Sequence, residues 1–312
     1  METVPGHFAS SMPSQRPSLR DMLQLHLVVL AWGFTAILGK LITLPAIDVT
    51  IWRTAMAAAG LAVIALVARI RIRLAASTAG AFLGTGLLIG WHWMLFFLSA
   101  RLGSASVTLA AMPTVMIWCS LIEPLFDGTR RWSRTELLVG LVMGGAVWMI
   151  YRFEFAQWLG FTVGLVSAFL AALFAVINKS FAGKHPPVVI CGFQMVGACL
   201  SCVALLPFTS TSLTIPAGPD LLWLLVLSQV CTVGAYIGYL DVLQRMSVFT
   251  INVVYNLEPV YGIVLAALIL GDTERMSGGF YLGAGIIIAV VMGLPWARRK
   301  LNDATALTAL GE

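Results

Sequence analysis

An acid followed at once by a proline, Glu258–Pro259, stands inside the apolar run VVYNLEPVYGIVLAALIL at 253–270. A carboxyl at that depth can take up and release a proton, or it can accept hydrogen bonds from a neighbouring helix. A charged group at the bilayer centre costs about 2.5–3.5 kcal/mol on insertion scales, so it must face protein or water. Pro259 removes a backbone donor, which is tolerated where a cavity or a neighbour serves the freed carbonyl. Proton or substrate coupling and a helix kink are both open readings of the pair. Asn252 and Asn256 are four residues apart and Tyr255 joins their face, giving the helix a polar stripe. His92 and Tyr236 each lie two residues after a glycine, and Tyr239 is one turn beyond Tyr236. With Trp32, these residues are the candidate walls of a cavity, aromatic with a few polar groups, for a small amphipathic molecule. Arg53, inside another apolar run, reads as a structural charge held by an acid or by carbonyls.

Familiar catalytic constellations are missing. The chain has no HExxH, Walker loop, GxSxG or paired CxxC, and its five cysteines all fall within apolar runs. The expectation is a protein that is not an enzyme, with no catalytic residues, no cofactor and no metal.

The elements that must position the polar residues follow from composition. Of 312 residues, 59% are hydrophobic and only 11% charged, with a mean hydropathy of +0.92. Soluble domains run near 25% charged. Ten apolar stretches approach the ~20 residues a helix needs to cross a bilayer: 23–43, 49–69, 77–99, 105–126, 135–151, 156–179, 187–208, 220–243, 249–270 and 278–297. The first is too long for a signal-peptide core. Threading ten spans from a cytoplasmic N-terminus puts fourteen Lys and Arg inside and only Arg101, Arg152 and Arg275 outside. Such a bias sets orientation and predicts that both termini are cytoplasmic. Basic residues scattered over short loops offer no clustered face for nucleic acid.

The chain also repeats itself. Gly90–Arg101 lines up with Gly234–Arg245, Pro113 with Pro259, and AILGK at 36–40 with AVINK at 175–179. Because five is odd, two five-span copies enter the membrane from opposite sides. Inverted repeats place a substrate path between the halves and support alternating access. The expected fold is an all-α polytopic membrane protein with ten transmembrane helices in two inverted five-helix repeats. Residues 1–20 read as a disordered cytoplasmic tail, 21–152 as the first repeat, 153–297 as the second and 298–312 as a cytoplasmic tail. GxxxG spacings include Gly140/Gly144 and Gly279/Gly283 in helices five and ten, an intramolecular seam or a dimer contact.

The stretches WGFTAILGK (32–40), IWRTAMAAAGL (51–61), LEPVYGIVLAALILGD (257–272) and LGAGIIIAVVMG (282–293) resemble drug/metabolite transporters of the EamA type. The resemblance covers residues 24–296. It implies two EamA repeats, a central substrate cavity, and recurrence of both the arginine at 53 and the proline at 259. Asp272 departs from it, standing where such proteins more often have Glu. The reading that follows is an inner-membrane secondary transporter, expected to export a small metabolite such as an amino acid or related amphipathic compound. Its expected partners are that solute, the lipid bilayer and a proton as the coupling ion, in a monomer or homodimer. The alternative is a multispan membrane protein, lipid-modifying or without activity, that moves no solute.

Overall fold

The computed structural model describes residues 18–126, 134–181, 184–209, 212–243, 245–246, 251, 254–290 and 292–293. The expected tails, apart from residues 18–20, and most of the basic loop at 130–134 lie outside these residues. So does Asn252. The described residues form helices and no strands.

The apolar runs fold as α1 (Leu19–Leu41), α2 (Ala46–Val67), α3 (Ala76–Leu102), α4 (Ala105–Ala111), α5 (Val115–Phe126), α6 (Arg134–Phe153), α7 (Trp158–Lys179), α8 (Pro187–Val203), α9 (Pro219–Leu225), α10 (Ala235–Leu243) and α11 (Glu258–Leu270). A last helix, α12, covers Gly278–Val290. Starts are set by local chemistry. The Ser18 side chain accepts the Asp21 amide at the head of α1, and Ser104 accepts the Val107 amide at the head of α4. Among the described residues, seven helical segments are long and apolar enough to cross a membrane: α1, α2, α3, Ala105–Phe126, Phe155–Asn178, Pro187–Phe208 and Pro219–Tyr239. The remaining expected spans appear as shorter apolar helices, Leu141–Phe153 within α6, α11 and α12.

Three segments depart from regular α-helix. Between α4 and α5 the chain tightens into a 3₁₀ turn, Met112–Thr114, with Pro113 in its first positions. Between α9 and α10 it widens into a nine-residue π-helix, Val226–Gly234. Before α11, the helical residues Val254 and Tyr255 give way to a turn at Asn256–Leu257, and a new helix begins at Glu258. Pro259 is therefore the second residue of a helix, where the missing N–H had no intrahelical partner to lose. The break replaces the bend of a continuous helix. A π stretch and a broken helix are where membrane transporters often place a site.

The helices pair across the two halves of the chain. α3 packs on α7 and α8, α2 on α8, and α1 on α11 and α10. Close approach is made by glycine: a Cβ on Gly90 would meet the Ala198 carbonyl oxygen at 2.7 Å, and one on Gly160 the Gly103 nitrogen at 2.6 Å. Gly279 and Gly283 lie against Phe153 and Ile150 of α6, while nothing approaches Gly144 within 4 Å. The glycines of α12 thus serve an intramolecular seam.

The end of the bundle opposite the start of α1, its far face, is tied by carboxylates that accept backbone amides. Asp220 takes the Thr43 amide (2.9 Å) and hydroxyl (2.6 Å), and Asp48 takes the Thr214 amide (3.0 Å). Glu154 takes the Ser277 amide at 2.7 Å. Glu274, fully buried, accepts the amides of Ala105 (3.0 Å) and Ser106 (2.8 Å) at the head of α4. A carboxylate there is stabilised by the helix dipole as well as by the bonds. At the near face, Arg245 pairs with Asp241 of α10 (2.6 Å) and Asp21 of α1 (2.7 Å), and Gln24 donates to Asp241 (2.8 Å). The two carboxylates raise the Arg245 guanidinium above its ordinary pKa.

Candidate substrate chamber

Three of the aromatic residues expected to wall a cavity, Trp32, Tyr239 and Tyr255, meet one another. Trp32 of α1 lies 5.6 Å from Tyr239 of α10 and 5.5 Å from Tyr255, just before the break, the latter pair edge to face. Tyr255 is 42% exposed although it packs on Trp32 and has Glu258 and Cys119 as electrostatic neighbours. A large ring so placed and yet accessible has open space in front of it. Asn256, 6% exposed, has a side-chain nitrogen without a partner among the described residues.

Glu258 opens α11 on the same side. Its carboxyl interacts with the Tyr255 side chain and feels the charge of Arg53 on α2. Behind it, α1 and α11 cross so closely that a Cβ on Gly33 would stand 2.9 Å from the Glu258 carbonyl oxygen. The position of the carboxyl is thus fixed by a backbone contact.

Arg53 is 3% exposed. Its Nε donates to the Thr232 hydroxyl at 2.9 Å, and its guanidinium carbon stands 3.7 Å from the centre of the Trp93 ring. Thr232 belongs to the π-helix and itself donates to the carbonyl of Leu227, five residues back. The wider helix turn brings this hydroxyl to α2. The expected acid partner is absent: among the described residues no carboxylate lies within 4 Å of Arg53.

His92 and Tyr236 are held by different neighbours. His92 Nδ1 bonds the hydroxyl (2.8 Å) and carbonyl (2.9 Å) of Ser167 on α7, and Ser167 donates back to the His92 carbonyl. Tyr236 packs on the apolar cluster of Ala57, Leu61, Ile89, Cys191 and Met195. Of the expected cavity residues, Trp32 touches Tyr239 and Tyr255, Glu258 adjoins Tyr255, and Arg53 lies within electrostatic reach of Glu258. His92 sits at the α3–α7 contact and Tyr236 at the α2–α3–α8 contact. Sequence reasoning missed Trp93 and Thr232. The motif Trp91-His92-Trp93 was a signal for the first; the register of an unforeseen π-helix hid the second.

A groove of about 680 Å³ between α1 and the π-helix is a different place. Leu23, Leu27, Val28, Val230 and Gly238 line it, with none of the expected cavity residues. Leu23 and Leu27 are more than half exposed, so it opens on the lipid side of the bundle.

No curated protein matches the chain. One solved crystal structure shares its fold, with a TM-score of 0.60 over 88% of this chain and 97% of the other, at 17% sequence identity. Residues 158–294 match the EamA-like transporter family. That segment begins with α7 and runs beyond the end of α12, so the likeness to the EamA-like transporter family lies in the second half of the chain.

Proposed function

We propose that the protein is a secondary transporter that exports a small metabolite across a bacterial-type inner membrane by alternating access, with Glu258 as the proton-coupling site. The observation that carries this reading is a set of contacts between the halves: Trp32 of the first packs on Tyr239 and Tyr255 of the second, and Arg53 of the first donates to Thr232 of the second. A space lined by both halves is closed or opened by their relative movement. The two halves are also tied by side-chain bonds. Arg53 of α2 donates to Thr232 in the eighth expected span, and its repeat counterpart, Gln194 of α8, donates to Thr85 of α3 at 3.2 Å. The positive-inside bias then makes the near face cytoplasmic, together with both termini.

An aromatic lining with a few polar groups suits an amino acid or a related amphipathic compound. Glu258 is the acid well inside the bundle that faces this space, and a carboxyl able to exchange a proton there links flux to a pH gradient. Purified protein in liposomes, loaded with a metabolite panel and given an imposed pH gradient, tests the reading. Protein-dependent movement of a solute without ATP, accelerated by the gradient, is the expected result. A panel in which no solute moves faster than in empty liposomes would overturn it.

A further inference from the structure

The geometry points to Arg53 as the binding site for a carboxylate, so that the transported solute is a small organic acid, or a zwitterion, whose carboxylate docks on this guanidinium. This rests on the chamber being the transport site. A guanidinium carries five N–H donors in a planar fork that matches a carboxylate edge. Arg53 commits only Nε, to the neutral Thr232 hydroxyl. Its two terminal nitrogens, four of the five donors, make no hydrogen bond among the described residues. They do not rank with the fully buried, unpartnered atoms either, so they keep some accessible surface. A structural arginine in a membrane pairs with an acid or with carbonyls; this one has neither.

The surroundings hold the guanidinium ready for a guest. Trp93 stacks against one face at 3.7 Å, Phe97 stands at 5.7 Å, and Thr232 fixes the rotation through Nε. Stacking and the Nε bond leave the terminal edge free, which is the edge a bidentate carboxylate takes. Glu258 is near enough to act on Arg53 electrostatically, yet the two side chains are more than 4 Å apart and form no ion pair. A solute carboxylate bound at the terminal edge would thus meet the guanidinium without displacing an existing ion pair. Trp32, Tyr239 and Tyr255 supply the aromatic wall for its apolar body. The counterpart of Arg53 in the second half is the neutral Gln194, whose amide is already shared between Thr85 and Asn178. The anion site is therefore single.

The test is equilibrium binding to the purified full chain in detergent, read by ligand-induced thermal stabilisation. Probes are carboxylate and amide pairs of one shape: L-phenylalanine and L-phenylalaninamide, 3-phenylpropionate and 3-phenylpropionamide, and the aliphatic pair 4-methylvalerate and 4-methylvaleramide. At least one carboxylate should bind tenfold or more tightly than its amide. Arg53→Gln should remove that discrimination, and Arg53→Lys should retain part of it. If no carboxylate is preferred over its amide by the wild-type protein, the inference is overturned without any variant. Undiminished discrimination in Arg53→Gln overturns it as well. Where Arg53→Gln does not fold, Arg53→Lys, which keeps the charge but loses the planar fork, replaces it, and undiminished discrimination there again overturns the inference. Binding is read apart from flux: carboxylate preference without transport sinks the transporter reading alone, and transport of amides and acids alike sinks the carboxylate site alone.

Discussion

Gly33 of α1 and Gly262 of α11 touch backbone to backbone: a Cβ on Gly33 would stand 3.0 Å from the Gly262 nitrogen, and one on Gly262 would stand 2.9 Å from the Gly33 carbonyl oxygen. Neither neighbour is a flexible side chain that could swing aside. Gly33→Ala should lower stability by about 1–3 kcal/mol, the usual range for overpacking, and should slow transport because Glu258 rides on the same crossing. Gly144→Ala is the control, since nothing lies within 4 Å of that site. Thermal unfolding of the two variants side by side checks the difference; equal midpoints would show that the crossing relaxes freely.

Glu258→Gln keeps the shape of the side chain but cannot exchange a proton. It should leave folding and solute exchange intact and abolish the response of flux to an imposed pH gradient. Proteoliposome flux with and without the gradient measures this. Gradient dependence like that of the wild type would make Glu258 a helix-start residue only. Pro259→Ala is a useful companion. Since Pro259 is the second residue of α11, the change adds a donor the helix does not use and should alter rates less than Glu258→Gln alters coupling.

Glu274 holds the first two amides of α4 from the far end of α11. Glu274→Ala leaves both donors buried without an acceptor and removes the favourable charge at the helix head. The expected loss is roughly 1–3 kcal/mol for the unsatisfied groups, seen as a lower unfolding midpoint. Glu274→Gln should fall between wild type and alanine, because its amide retains one acceptor oxygen and loses the charge.

The threading has its own test. A reporter active only in the cytoplasm, fused after residue 312, should be active, and one active only outside should be silent. The reverse pattern would invert every assignment of near and far faces.

Much of this arrangement was legible in the sequence. Long apolar runs announce helices wherever burial in lipid is uniform, and the seven long spans appear where such runs stand. The aromatic and amide stripe around Tyr255 announced a polar face, and of its residues Tyr255 packs on Trp32. What the sequence concealed was local backbone geometry. Val226–Gly234 lies within an apolar run of the same kind as the α-helical spans, and no residue in it signals a π-helix. A face assignment at the ordinary helical repeat therefore turns Thr232 away from Arg53. The turn at Asn256–Leu257 was concealed for a related reason. A proline marks a disturbance, but whether the helix bends or stops depends on the α1 backbone packed behind it, which no local signal reports.

The ties of α1 bear on the mechanics. At one end its following residue Thr43 is held by Asp220, at the head of α9; at the other, Gln24 and Asp21 are held through the Gly238 carbonyl, Asp241 and Arg245. A rod pinned at both ends to a second rod cannot swing independently of it. α1 and the segment from α9 to α10 are therefore tied at both ends, although one belongs to the first half of the chain and the other to the second. The seams between α3 and α7 and between α6 and α12 couple the remaining helices in the same crosswise fashion. Each of these ties joins a helix of the first half of the chain to one of the second, so a force on either half is passed to the other at both ends of the bundle.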